Sequence, residues 1–143
     1  NTEKYQDLCN KIIERGQYAH WRQTYKGTAV SSHFLSHFGC YCLIGVGGPY
    51  NSNSMRAWIV YMPSKLYYPW HQHPAEELYF CLAGEATFKE DGKDDIILCE
   101  GGVSEYRSNQ PHAIQTDEKP VLAYVIWRNG FDVLPELTHD DAK

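Results

Sequence analysis

Hydrophobic residues near the start of the chain recur at the spacing of one helix face. They follow the i, i+3, i+4, i+7, i+8 pattern of an amphipathic helix and are Tyr5, Leu8, Cys9, Ile12 and Ile13. Gly16 ends this run, so the pattern predicts a helix over residues 2–15 with Thr2 as its N-terminal cap. Two further short helical stretches are predicted at residues 17–25 and 31–38.

After Gly39 the pattern changes to short apolar or alternating segments separated by Gly, Pro, Asn and Asp, which is typical of strands. The predicted strands lie near residues 40–46, 56–62, 66–72, 77–83, 85–90, 95–99, 103–107, 112–116 and 121–128. Between two of them the pair Asp91-Gly92 signals a tight hairpin. Regular short strands of this kind predict a mainly β fold, either a sandwich or a barrel.

The 143 residues are enough for one domain that buries a core of its own. We expect an N-terminal helical segment over residues 1–38, packed on a β-barrel over residues 39–130. Residues 131–143 are predicted to form a tail, and its polar end from Thr138 to Lys143 is expected to be loose.

Charge and cysteine usage narrow the function classes. Thirteen basic against 18 acidic residues give a net charge of −5, which disfavours binding to nucleic acid or to an anionic membrane surface. No apolar run is long enough to span a membrane and no signal peptide is visible. The chain begins at Asn1 rather than Met, so we expect a trimmed chain, and a lost targeting segment is an open alternative. Five cysteines without a CxxC pair indicate reduced thiols and a cytoplasmic location.

Candidate chemistry is concentrated in the segment from Tyr67 to Tyr79. His71, His73, Glu77 and Tyr79 are all odd-numbered, so on an extended chain they point to one face. Two imidazoles and a carboxylate that converge can bind a first-row metal ion. His112 is the candidate for a fourth ligand, because it follows a turn-like stretch and opens a predicted strand.

These residues resemble the first motif of the cupin family, G-x5-H-x-H-x3,4-E-x6-G. His71-x-His73-x3-Glu77-x6-Gly84 matches every position after the leading glycine, where this chain has Lys65. The resemblance implies a cupin double-stranded β-helix, which is a jelly-roll barrel, with a metal held by three His and one Glu. Glu76 beside Glu77 is an alternative ligand, and the motif spacing favours Glu77.

The second cupin motif, G-x5-P-x-G-x2-H-x3-N, is matched less completely. Gly101 and His112 agree with it. Arg107 and Asn109 stand where Pro and Gly are usual, and Thr116 replaces the final Asn. These departures affect the turn before His112 more than the expected ligand itself.

The flanking residues are similar to the cupin-type dimethylsulfoniopropionate (DMSP) lyases. The runs that carry this resemblance are YYPWHQHPAEELY from Tyr67, QPHAIQT from Gln110 and VLAYVIW from Val121, within residues 58–130. The family cleaves DMSP to dimethyl sulfide and acrylate by β-elimination with a divalent transition metal. The resemblance therefore implies a carbon–sulfur lyase with DMSP as its small-molecule substrate and with Zn, Fe, Mn, Ni or Co as its metal.

The resemblance also implies roles for individual residues. Tyr79 corresponds to the family's general base, and Tyr68 to a tyrosine that acts in catalysis or substrate handling. Free tyrosine has a pKa near ~10, and a nearby metal would lower that pKa. Aromatic faces suit the sulfonium cation. Trp127 matches a position that lines the family's pocket, and Tyr67, Trp70 and Tyr106 are further candidates for this contact.

Other interpretations remain at this point. Three His and one Glu also permit a different metal-dependent cupin enzyme, such as a dioxygenase or a sugar isomerase. A non-enzymatic cupin that only binds a small molecule is a third alternative. Cupins often pair through strands, so a homodimer is one expectation, although the helical segment could cover that edge instead.

Overall fold

Two helices and nine strands form the part of the chain that this computed structural model describes, residues 4–138. Thr2, the expected helix cap, and residues 139–143 of the predicted tail lie outside that range. The elements in chain order are α1 (Gln6–Gly16), α2 (Ser32–His37), β1 (Gly39–Ile44), β2 (Arg56–Met62), β3 (Tyr67–Gln72), β4 (Glu76–Glu90), β5 (Ile96–Cys99), β6 (Val103–Tyr106), β7 (His112–Gln115), β8 (Val121–Arg128) and β9 (Glu136–Leu137).

The strands pair antiparallel in the order β1-β2-β8-β4-β7-β3-β9, with β5 and β6 also paired to β4. The first half of β4 pairs with β6 and β8, and its second half with β5 and β7. β4 thus belongs to two sheets, which face each other across a shared core. The structure confirms the predicted mainly β fold with helices at the N-terminal end.

Gly84 lies where β4 passes from one sheet to the other. Its φ is +80°, and a Cβ at this position would lie 1.8 Å from the carbonyl oxygen of Pro120. The sequence pattern predicts two strands here, 77–83 and 85–90, whereas the structure has one strand of 15 residues. A glycine in a strand can mark a bend rather than an end, and that is its role at this position.

The N-terminal segment differs from its prediction in one place. α1 and α2 lie close to the predicted stretches 2–15 and 31–38, and the hydroxyl of Ser31 caps α2 by accepting from Phe34 N at 3.1 Å. The predicted helix over residues 17–25 is wrong. Trp21 pairs with Tyr41 of β1 in an isolated bridge, and Arg22 N donates to Cys40 O at 2.7 Å, so this backbone bonds to the sheet instead of to itself. Neither described helix is long and apolar enough to cross a membrane.

Two residues that stand where the cupin motifs have glycine adopt a backbone conformation that glycine tolerates best. Lys65 has a φ of 60° and Asn109 a φ of 55°, both in the left-handed region. Thr116, where the second motif ends in Asn, is fully buried. Its hydroxyl accepts from Leu66 N at 2.9 Å and donates to Pro63 O at 2.6 Å. The turns of both motifs are therefore present although four of the usual residues, at positions 65, 107, 109 and 116, are not.

The two ends of the β region also differ from expectation. The hairpin at Asp91-Gly92 is present, and Lys93 N donates to Glu90 O at 3.1 Å across it. Strand pairing, however, begins only at Phe88 and Ile96, so the connection is longer than a two-residue turn. Within the predicted tail, β9 pairs with the end of β3.

Candidate metal centre and the cavity beside it

Three imidazoles converge between the two sheets. His71 lies on β3 and His112 on β7, and the two residues are direct cross-strand partners. His73 follows β3 by one residue. Each ring offers one ligand atom, and these atoms lie within 4.8 Å of one another. All three side chains are buried, with at most 2% exposed.

The backbone fixes which nitrogen of each imidazole faces the centre. Each Nδ1 donates to a carbonyl oxygen two residues away, from His71 to Pro69 at 2.7 Å, from His73 to Ala75 at 3.0 Å and from His112 to Gln110 at 2.8 Å. Because Nδ1 carries the proton, Nε2 keeps its lone pair in the neutral ring. Backbone contacts of this kind orient histidine ligands in metal sites.

Glu77 on β4 completes the group from the opposite sheet. Its Oε2 lies 2.9 Å from Nε2 of His112 and 3.3 Å from Nε2 of His73. Its Oε1 accepts a hydrogen bond from the indole Nε1 of Trp127 at 2.6 Å. Glu76, the alternative ligand in the sequence, lies at the surface and contacts Arg128 at 3.3 Å. The structure therefore places Glu77, not Glu76, with the imidazoles.

The electrostatics of the centre act differently on its donors. Burial favours a lower pKa for His73, but the charge of Glu77 outweighs it and leaves that pKa raised. Burial favours a raised pKa for Glu77, but His73 and His112 outweigh it and hold the pKa of that carboxyl well below its usual range. Burial and the neighbouring His112 lower the pKa of His71 well below its usual value. The site thus presents a charged carboxylate and a neutral imidazole.

The four side-chain atoms that face the centre have the properties expected of metal ligands. Nε2 of the three imidazoles and Oε2 of Glu77 are buried and have no hydrogen-bond partner. Buried polar atoms are almost always hydrogen-bonded, so four orphaned atoms directed at one point need an explanation. Three nitrogens and one carboxylate oxygen suit a first-row divalent cation.

A cavity of about 190 Å³ opens beside this centre, and Glu77 forms part of its wall. Tyr79, two residues further along β4, and Tyr68 of β3 both line it. Tyr79 is buried, and burial together with the charge of Glu77 raises the pKa of its phenol well above 10. Tyr68 stacks on His71 with ring centres 4.0 Å apart and an interplanar angle of 8°. The structure thus brings both tyrosines of the sequence analysis to one cavity.

Of the four aromatic candidates, only Trp127 lines this cavity. Its ring lies 4.2 Å from that of His73. Tyr106 stacks behind His112 at 4.0 Å, and among residues 4–138 the cavity wall includes neither it nor Tyr67 nor Trp70. Tyr67 lies on the other side of β3 from Tyr68, and the register of β3 shifts between Tyr68 and His71.

Several residues of the cavity were not singled out from the sequence. Trp58 on β2 contacts Trp127 at 4.6 Å. Arg56, which pairs with Asp132 at 2.9 Å, and Arg22 also line the cavity. Strand alternation could have indicated Trp58. Arg22 carries no periodic signal, because it lies between α1 and α2 and only the tertiary fold brings it to the barrel.

Comparison with known proteins gives one consistent result. Residues 1–123 match the family model described as dimethylsulfoniopropionate lyase. The DMSP lyase DddQ of Ruegeria pomeroyi DSS-3 is 44% identical over 142 residues, which cover 99% of this chain and 71% of that protein. Its crystal structure superposes with a TM-score of 0.95 over 100% of this chain and 73% of that chain.

Two further solved structures extend the comparison. One, described as DMSP lyases RdDddP and RnDddQII, has 31% identity and a TM-score of 0.91 over 96% of this chain and 71% of that chain. A cupin-like protein from Thermotoga maritima has 19% identity and a TM-score of 0.62, over 80% of this chain and 86% of that chain. The latter bears on the fold alone. The cupin fold expected from the motifs is confirmed.

Proposed function

Because this chain belongs to the dimethylsulfoniopropionate lyase family, we propose that it is a metal-dependent carbon–sulfur lyase that cleaves DMSP to dimethyl sulfide and acrylate by β-elimination. The observation that carries this proposal is the convergence of four buried, unpartnered donor atoms beside a cavity lined by Tyr79 and Tyr68. A divalent centre and a buried phenol beside one cavity are the parts that an elimination next to a carboxylate requires.

His71, His73, Glu77 and His112 would hold the metal, one divalent ion of Zn, Fe, Mn, Ni or Co. When bound, the ion supplies Lewis acidity towards the substrate carboxylate, which stabilises the charge that develops as the α-proton leaves. Trp127 keeps Oε1 of Glu77 occupied at 2.6 Å, so Oε2 is the oxygen left for the ion. In the same way, the backbone carbonyls occupy Nδ1 of each imidazole, so Nε2 is the nitrogen left for the ion.

Tyr79 acts as the general base. Its phenolate takes the α-proton, the electrons of that C–H bond form the Cα–Cβ double bond, and the Cβ–S bond breaks with its pair leaving on neutral dimethyl sulfide. Without a cation nearby, burial and the charge of Glu77 raise the pKa of Tyr79. Cationic charge at the four donors counters the charge of Glu77 and so favours the phenolate.

Tyr68 and Trp127 handle the two ends of the substrate. The hydroxyl of Tyr68 donates to a carboxylate oxygen, and its ring is already fixed against His71 at 4.0 Å. Trp127 lines the cavity and receives the sulfonium, a contact worth about 0.5–2 kcal/mol for a cation over an aromatic ring. Tyr67, Trp70 and Tyr106 are left out of this assignment because they do not line the cavity.

The state of the cysteines bears on the compartment in which the protein works. All five cysteines fall within the described residues and are free, which supports a reducing compartment such as the cytoplasm. The homodimer expected from other cupins stays a prediction, which light scattering of the purified protein would check.

The test is a product assay on purified, metal-reconstituted protein supplied with DMSP. We expect dimethyl sulfide and acrylate in equal amounts without oxygen uptake, and a loss of about 100-fold or more in rate for Tyr79→Phe. Tyr61→Phe on the exposed side of β2 is the matched control and should keep full activity. Oxygen consumption with the same substrate would favour a dioxygenase, and tight binding of DMSP without turnover would favour a binding protein; either result overturns the proposal.

A further inference from the structure

A hydrogen bond between two phenols joins the N-terminal segment to the cavity. The hydroxyl of Tyr25, which lies between α1 and α2, is 2.7 Å from the hydroxyl of Tyr68 on β3. Both side chains are buried, but only Tyr68 lines the cavity. Tyr25 therefore reaches the site through Tyr68 and not by touching what binds there.

The ring of Tyr68 does not need this bond to stay in place. Its face stacks on His71, and the rings of Phe34 and Phe38 lie 5.2 and 4.7 Å from it. These contacts fix the position of the ring but do not determine where the hydroxyl proton points. Only a hydrogen-bond partner can set that direction.

Tyr25 is itself held firmly. Its carbonyl oxygen accepts from the backbone N of Thr28 at 3.1 Å and from the Thr28 hydroxyl at 2.7 Å. Its ring makes edge contacts with Phe34 at 5.9 Å and with Tyr68 at 5.6 Å. A partner anchored in this way can impose one direction on the hydroxyl it contacts.

We propose that Tyr25 is a positioning residue that donates its proton to the oxygen of Tyr68 and so directs the proton of Tyr68 into the cavity, towards the substrate carboxylate. The inference rests on the proposed function. A phenol has one proton to donate, so a Tyr68 that donated to Tyr25 would offer the carboxylate none. Donation in the order Tyr25, Tyr68, carboxylate satisfies all three groups, and successive hydrogen bonds strengthen one another.

The test compares Tyr25→Phe with wild type in the dimethyl sulfide assay. Tyr25→Phe keeps the ring and removes only the hydroxyl. Since the carboxylate is held both before and during elimination, we expect KM to rise about 3–10-fold while kcat changes less than about 2-fold. Tyr41→Phe is the matched control, because that buried hydroxyl donates to Ile12 O at 3.1 Å on the other side of the sheet. It should leave KM unchanged.

A double mutant separates positioning from a merely structural effect. If Tyr25 acts through Tyr68, adding Tyr25→Phe to Tyr68→Phe changes KM no further. The inference would be overturned if Tyr25→Phe raised KM as much in the Tyr68→Phe background as in wild type. An unchanged KM in Tyr25→Phe alone, or a fall in its kcat without a change in KM, would also overturn it. Thermal unfolding of every variant checks that loss of fold is not the cause.

Acrylate affinity, measured by calorimetry on the same metal-loaded variants, gives a readout that does not need turnover. We expect Tyr25→Phe to weaken acrylate binding about 3–10-fold, with no further loss in the Tyr68→Phe background. A wild-type protein that releases no dimethyl sulfide would defeat the proposed function, yet acrylate binding would still decide the role of Tyr25. The two failures are thus distinguishable.

Discussion

Trp127 and Glu77 are cross-strand partners on β8 and β4, and the indole N–H of Trp127 donates to Oε1 of Glu77 at 2.6 Å. The strand register that forms the sheet therefore also sets the orientation of the carboxylate. With Oε1 occupied, Oε2 is directed at His73 and His112. One hydrogen bond thereby links the fold of one sheet to the geometry of the candidate metal centre.

Replacing Trp127 should weaken metal binding. Trp127→Phe keeps an aromatic ring in the cavity but leaves Oε1 of a buried carboxylate without its donor. Loss of such a supporting contact typically lowers metal affinity about 10–100-fold, and we expect a decrease in that range. Competition with a chromophoric chelator measures it.

Trp21→Phe serves as the control for that experiment. The indole of Trp21 also makes a hydrogen bond, to Gly16 O at 2.8 Å, and Trp21 does not line the cavity. We expect the Trp21→Phe substitution to lower the stability of the protein without changing its metal affinity. Equal metal affinity in Trp127→Phe and wild type would show that Glu77 does not need the indole.

Gly84 should be far less replaceable than another glycine of similar backbone conformation. Gly84 and Gly92 have φ values of 80° and 78°, but a Cβ at Gly92 meets nothing within 4 Å whereas one at Gly84 meets Pro120 O at 1.8 Å. We expect Gly84→Ala to reduce the free energy of unfolding by about 2 kcal/mol more than Gly92→Ala, because β8 must move. Urea denaturation of both variants measures the difference, and equal losses would exclude crowding as the cause.

Lys65→Gly should stabilise the protein. Left-handed backbone costs an ordinary residue about 1–2 kcal/mol, and the added flexibility of glycine in the unfolded chain offsets about 0.5–1 of that. The contact of Lys65 with Glu118 at 3.5 Å is solvent-exposed and contributes little. We expect a net gain of roughly 0.5–1 kcal/mol in the free energy of unfolding. Asn109→Gly should gain less, since asparagine tolerates this region, and a larger gain there would contradict the explanation.

The buried thiol of Cys81 should make the protein less stable in alkali. Burial raises the pKa of Cys81 from 9.0 to about 11. Between these values the unfolded chain releases the thiol proton and the folded chain keeps it, so stability present below pH 9 is lost as the pH rises towards 11. Cys81→Ala should lose less stability over this interval than wild type.

Chemical denaturation at pH 8, 9, 10 and 11, steps of about one unit across that window, tests this expectation. If Cys81→Ala and wild type lose the same free energy of unfolding as the pH rises, the Cys81 thiol does not contribute to the loss of stability in alkali.

The set of donor residues could be predicted because the spacing of the cupin motif is a local property of the sequence, although His71 and Glu77 come from opposite sheets and not from one face of a single strand. His71, His73 and Glu77 lie within seven residues, and His112 is bound to His71 by strand pairing. The cupin fold was predictable for the same reason. Their role as metal ligands stays a proposal that the metal assays test.

Other features depend on tertiary contacts that leave no periodic signal. Tyr25 reaches the site from a loop, and the segment around Trp21 bonds to β1 rather than forming the predicted helix. Trp70 was a candidate because an aromatic face suits a sulfonium, and residue type alone does not show which aromatic side chains line the cavity. The sequence analysis placed a strand boundary at Gly84, because a glycine in a sequence does not show whether a strand bends or ends there.

The most direct test of the account relates metal content to dimethyl sulfide release in the same samples. Protein stripped with a chelator should lose its activity, and adding back a divalent transition metal should restore the rate in proportion to the metal bound, up to one ion per chain. Undiminished release of dimethyl sulfide from fully stripped protein would contradict the assignment of His71, His73, Glu77 and His112 as the centre of the reaction.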